Sequence, residues 1–204
     1  IFVENDREEL LNNIYGTLPV YNKIIIYAPT FREYTKTKFF PFDDFDRNKL
    51  NLFLEENNLI IFIRIHQSES QNISNNYGER VRLINDDLVE DIMDIINIFD
   101  LLITDYSSIY IDYLLTEKPI IFLPYDRNEY LEKRGFNFEY DEVTPGPKPK
   151  TFEEFKNEIN RLLTNENYYK AERERNNEFF NQIKEPCSSK ICSFIKEEIS
   201  KKEV

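Results

Sequence analysis

At 204 residues and 41% hydrophobic content, the chain is long enough for one well-filled α/β domain and short for two. A net charge of −12 argues against a nucleic-acid or anionic-membrane surface, because both need a basic face to displace counterions. The apolar runs are too short to span a bilayer, and the start Ile1-Phe2-Val3-Glu4-Asn5-Asp6 has no basic region ahead of an apolar one, so a cytoplasmic location is expected.

The β-rich runs fall at 23–27, 59–65, 81–84, 101–104 and 119–123. Their apolar residues run continuously, as in strands covered on both faces, and helical patterns alternate with them. The pattern predicts a parallel sheet with crossover helices at 47–57, 88–99 and 108–116. In the second of these, Leu88, Ile92, Ile95, Ile96 and Phe99 form one apolar stripe. A short helix is expected at 127–133, after which Gly135 and Pro145-Gly146-Pro147-Lys148-Pro149 interrupt regular structure. That stretch is the clearest break in the chain. Beyond it, Phe152, Phe155, Ile159 and Leu162 mark an amphipathic helix, followed by a charged helical region at 167–184 and a last helix at 189–201. The charge run at 172–175 reads as a solvated helix face. The expected division is a Rossmann-like core over 1–150 and a helical extension over 151–204, packing on the core or on a further domain. Ile at position 1, with Met93 the only Met, leads to the expectation of an excised piece.

Cys187 and Cys192 lie five apart, which in a helix puts them on different faces, and are expected to be free thiols. With His66 the only histidine, the ligands for a zinc site are lacking.

A doubly wound sheet in the order 3-2-1-4-5 binds ligands beyond the carboxyl ends of its first and fourth strands, where the strand order reverses. After the first comes Ala28-Pro29-Thr30-Phe31-Arg32, and after the fourth Asp105-Tyr106-Ser107-Ser108, which opens a helix. A helix start offers free N–H groups, serine hydroxyls add donors, and Arg32 could present a bidentate fork, so the combination suits phosphate. Equally, Ser107 and Ser108 read as ordinary cap residues and Asp105 as a turn former. No Gly-rich phosphate loop is present. His66, in Ile63-Arg64-Ile65-His66-Gln67, follows the second strand at the same edge, and Arg64 shares its strand face. Asp43, Asp44 and Asp46 sit in an aromatic-rich loop with no acid partner identifiable by spacing.

Several of these segments together resemble the CDP-glycerol glycerophosphotransferase family, over about residues 24–155. They are Tyr27-Ala28-Pro29-Thr30-Phe31-Arg32; Arg64-Ile65-His66-Gln67, where the family usually has Pro in place of Gln67; and Asp100-Leu101-Leu102-Ile103-Thr104-Asp105-Tyr106-Ser107-Ser108 with Asp112-Tyr113. Lys118-Pro119-Ile120-Ile121-Phe122, Tyr125-Asp126, Glu129-Tyr130, Arg134-Gly135, Phe138-Glu139-Tyr140 and Pro145-Gly146-Pro147 then follow in family order.

The resemblance implies the C-terminal, donor-binding half of a GT-B architecture, with an N-terminal acceptor domain elsewhere in the same protein. The implied reaction is attack by a polyol hydroxyl on the β-phosphorus of a CDP-polyol, CDP-glycerol foremost. It extends a teichoic-acid or capsule polymer and releases CMP, without a metal or cofactor. By resemblance, His66 is the catalytic residue facing the pyrophosphate, Thr30 and Arg32 border it, and Ser107 and Ser108 bind phosphate. Arg64, Thr104, Asp105 and Asp126 complete the expected donor site. The full-length protein is then expected at the inner face of the cell membrane. The competing readings are a nucleotide-sugar glycosyltransferase donor domain and a nucleotide-binding module without turnover.

Overall fold

The computed structural model describes residues 6–65, 77–183 and 187–201. Five parallel strands, β1 (Lys23–Tyr27), β2 (Leu59–Arg64), β3 (Val81–Ile84), β4 (Leu101–Thr104) and β5 (Ile120–Phe122), form one sheet in the order β3-β2-β1-β4-β5. This is the expected order. Register places Ile25 beside Ile61 and Leu101, and Ile103 beside Ile121, so the central strands are flanked by hydrocarbon on both sides.

Successive side chains of a strand point to opposite faces, and the continuous apolar runs therefore feed two cores. On one face Ile25, Tyr27, Ile61, Ile63, Leu101 and Ile103 pack against α2 (Arg47–Glu56) and α6 (Phe152–Thr164). Leu50, Phe53 and Leu54 come from the first helix, and Phe152, Phe155, Ile159 and Leu162 from the second. On the other, Ile24, Ile26, Ile60, Phe62 and Leu102 pack against Leu11 of α1 (Arg7–Tyr15) and the 95–99 segment. Tyr110 and Tyr113 of α3 (Ile109–Tyr113) complete that layer. Each fully buried side chain of this size contributes roughly 1.5–3 kcal/mol.

The acidic loop 43–46 has a structural task. Asp46 accepts from the N–H groups of Asn48 and Lys49 and caps α2, while Asp44 accepts from Phe152 N at 2.8 Å at the start of α6.

The expected helix at 88–99 is instead two 3₁₀ turns, Ile92–Asp94 and Ile96–Ile98. Its polar residues bond their own backbone, Asp91 Oδ1 accepting from Met93 N and Asn85 Oδ1 from Leu88 N, and β-branched isoleucines weaken helical continuity. Ile95, Ile96 and Phe99 are buried as the stripe requires, but Leu88 is exposed.

The Pro-Gly-Pro stretch is buried against β5, where Pro147 O accepts from Phe122 N at 3.0 Å. Gly146 lies so close to the strand that a Cβ would run into the Ile120 carbonyl oxygen. After α4 (Arg127–Lys133) and α5 (Tyr140–Val143), the chain ends its described part in α7 (Lys170–Phe180) and α8 (Ser188–Ser200). Arg173, placed by sequence on a solvated face, is buried in α7, where it donates to the carbonyls of Glu117, Tyr168 and Glu166. No residue of α8 is buried, and Ile191, Phe194, Ile195 and Ile199 are exposed along it. Cys187 and Cys192 are free thiols. Among the described residues no helix is long and apolar enough to cross a membrane.

Candidate active site

Three loops meet at the carboxyl edge of the sheet, following β1, β4 and β5. Asp105, directly after β4, is buried and joins the first two. One of its oxygens accepts from Thr30 N at 2.8 Å, Thr30 Oγ1 at 2.7 Å and Tyr106 N; the other accepts from Arg32 Nη2 at 2.8 Å. Arg32 carries the connection to the third loop, with Nε 2.8 Å from Asp126 Oδ2 and Nη2 3.0 Å from Asp126 Oδ1. Its Nη1 donates to Thr30 O.

The Arg32 side chain is 0% exposed. The rings of Tyr106, Tyr125 and Tyr130 surround it, with centroids 5.1, 5.4 and 5.4 Å from Cζ. Burial alone would raise the Asp126 carboxyl, but the hydrogen bonds and charge of Arg32 outweigh it and hold the group below its ordinary range. Removing one member of such a buried cluster costs about 3–5 kcal/mol, because it strands the remaining charge.

This geometry gives several residues of the expected site partners within the protein. Four of the five guanidinium N–H groups of Arg32 are engaged by protein and its side chain is 0% exposed, so little of the expected fork is left for a phosphate. Arg32, Asp105 and Asp126 act as a strut between loops. Thr104 is also internal, its hydroxyl donating to Ala28 O at 2.8 Å. Arg64 turns toward the loop after β3, donating to Val89 O at 2.7 Å and pairing with Asp86. Thr30 is half-buried and reaches Asp105 with its hydroxyl proton.

Ser107 and Ser108 remain open. Ser107 is half-buried with Oγ at the limit of hydrogen bonding from Ile109 N, 3.5 Å, and Ser108 is exposed with no side-chain capping bond. His66, the expected catalytic residue, lies outside the described residues, two positions beyond the end of β2. Among the described residues no group of three or more His, Cys, Asp or Glu is placed to hold a metal.

Sequence reasoning left the aromatic shell without a role. Tyr140 donates its hydroxyl to Asp105 O at 2.8 Å, and Tyr106 stacks on Tyr130 at 4.1 Å between centroids. The signal was present as tyrosines following Asp105 and flanking Asp126, but only the fold shows that they converge on one guanidinium.

The family model for CDP-glycerol:poly(glycerophosphate) glycerophosphotransferases matches residues 2–197. The chain belongs to this family. Among its relatives, the teichoic acid poly(glycerol phosphate) polymerase of Bacillus subtilis strain 168 is 36% identical over 162 residues, covering 75% of this chain and 21% of that protein. The teichoic acid poly(ribitol-phosphate) polymerase of Bacillus spizizenii is 31% identical over 153 residues, covering 74% and 25%. Of solved structures, the wall teichoic acid polymerase TagF superposes with a TM-score of 0.73 at 25% identity, covering 97% of this chain and 49% of that one. A TagF variant soaked with CDPG superposes equally well. The α/β fold of this family member is thus that of about half the polymerase chain, and the chain spans a still smaller share of the curated relatives.

Proposed function

We propose that this chain is the donor-binding half of a transferase that moves a polyol phosphate, glycerol phosphate foremost, from a CDP-polyol to a growing cell-surface polymer and releases CMP. The observation that carries this reading is the family match over residues 2–197. The geometry is compatible with it. The donor diphosphate lies at the mouth formed by the loops after β1 and β4, with Ser107 and Ser108 donating to its oxygens and His66 as the catalytic residue of the donor side. Thr30, Arg32, Thr104, Asp105 and Asp126 hold that mouth in shape, and Arg64 fixes the neighbouring loop.

Catalysis in such a site amounts to positioning the phosphates and stabilising developing charge. The single histidine is already assigned to the donor, so the base for the acceptor hydroxyl comes from an N-terminal acceptor domain, on which the apolar stripe of α8 packs. The full-length enzyme works at the inner face of the cell membrane, where its polymer is assembled.

The test is a ligand panel on the purified chain. CDP-glycerol or CDP-ribitol should raise the melting temperature while UDP-sugars do not, and Ser108→Ala should weaken CDP-glycerol binding by roughly 1.5–3 kcal/mol, the range for a hydrogen bond to a charged group. Stabilisation by UDP-sugars alone would overturn the reading. Labelled CDP-glycerol with a glycerophosphate primer should give no primer growth with this chain by itself.

A further inference from the structure

Beside the candidate donor mouth, beyond the carboxyl end of β5, lies an open groove of about 520 Å³ between residues 35–38 and the start of α4. Residues 35–38 belong to the loop after β1 and are tied across to the β5 side by Lys38 N, which donates to the Tyr125 hydroxyl at 3.2 Å. The side chains of Lys36 and Lys38 are exposed at this groove.

An account of ion pairs gives the groove its character. Of the other charged groups lining it, Arg127 is paired with Asp141 at 2.7 Å and Glu129 with Lys133 at 3.0 Å. Asp126 is committed to Arg32, which it shares with Asp105, leaving that cluster one negative charge in excess. Lys36 and Lys38 have no carboxylate partner among the described residues. Two unpaired ammonium groups against one excess carboxylate leave a positive surplus, in a chain whose net charge is −12.

From this we infer that the groove is an acceptor subsite, in which Lys36 and Lys38 bind phosphodiesters of the growing polymer next to the donor mouth. The inference rests on the donor-half reading and adds the acceptor's path to it. An enclosed pocket would suit a single phosphate, whereas a groove open along its length suits a repeating polyanion. Exposed lysines match such a chain, since a compact ammonium on a flexible stem needs no fixed register to pair with successive phosphates. The donor has its own phosphate donors at Ser107 and Ser108, so a second cationic site one strand further along the edge serves the substrate that carries phosphates in series.

The experiment compares the 204-residue chain with its Lys36→Gln/Lys38→Gln variant. Affinities are measured for a defined glycerol-phosphate oligomer, CDP-glycerol and inorganic phosphate, at several salt concentrations. Both side chains are exposed and Lys38 uses only its backbone N–H, so the melting temperature should not change. The variant should bind the oligomer about tenfold more weakly, the sum of two modest exposed charge contacts, and with a shallower salt dependence. CDP-glycerol affinity should stay the same, and inorganic phosphate should compete far less well than the oligomer. Unchanged oligomer binding with CDP-glycerol binding intact overturns this inference alone. So does a loss that falls on CDP-glycerol instead, or inorganic phosphate competing as well as the oligomer per phosphate. Failure of the wild-type chain to bind CDP-glycerol overturns the donor-half reading, and this inference with it.

Discussion

Asp100 and Asp105 stand at opposite ends of β4, and each gathers cations and N–H groups from the chain around β1, yet the two ends are built for different surroundings. At the amino end, Asp100 takes Arg7 at 2.9 and 3.2 Å, Lys23 at 3.2 Å and Ile24 N at 2.9 Å, with Arg7 and Lys23 29% and 48% exposed. At the carboxyl end, Arg32 and Asp105 are 0% and 1% exposed, and aromatic rings replace water around the guanidinium. Solvent screens the first set, so losing one partner there is cheap; the second cannot lose a member without leaving a dry, uncompensated charge. The fold thus places its least forgiving electrostatics beside the candidate active site, where loop positions must be held closely.

The largest effect expected from this contrast is that of Arg32→Met, which leaves Asp105 and Asp126 facing each other without their counter-ion. A loss of about 3–5 kcal/mol in urea unfolding is expected. A loss below 1 kcal/mol would mean that water reaches the cluster after all.

An intermediate effect concerns acid. Because the folded-state carboxyl of Asp126 lies below its ordinary value of 3.8, its stabilising contribution is complete above that value and is lost as pH falls through the folded value. The difference in melting temperature between the wild type and Asp126→Asn should therefore be constant near neutrality and shrink in acid below pH 3.8. A difference that stays constant through that range would remove Asp126 from the acid response.

The smallest effect belongs to the amino end: Arg7→Ala should cost only about 0.2–1 kcal/mol, and less at high salt. A cost equal to that of Arg32→Met would erase the distinction between the two ends.

The sheet was legible because its strands, β3 with Arg82 excepted, carry continuous apolar runs, and the switch-point rule then named two of the loops that meet at the carboxyl edge. Less legible was what the polar residues in those loops do. Sequence offers Arg32 as a free fork and Asp105 as a turn former, because spacing along the chain says nothing about Asp126, which lies 94 residues away yet takes two of the guanidinium's bonds. The same limit hid Arg173, whose partners are carbonyls, groups that every residue possesses and no pattern distinguishes. Helix 7–15 went unread because only Leu11 of it is buried, leaving almost no periodicity to detect. Residues 88–99 were misread for the opposite reason, a stripe of apolar residues being present although isoleucines and local side-chain bonds disfavour a continuous helix.

Gly146 has a bearing on how this chain behaves in a crowd of its own copies. β5 is an outer strand, and an outer strand with free N–H and carbonyl groups is a template on which another chain can add. The Pro145-Gly146-Pro147 segment occupies that flank, and its prolines have no N–H with which to recruit a further strand in turn. Any side chain at position 146 would push the segment away from Ile120 and uncover the template. The substitution should therefore show itself in light scattering on gentle warming, through self-association that spreads from the β5 flank.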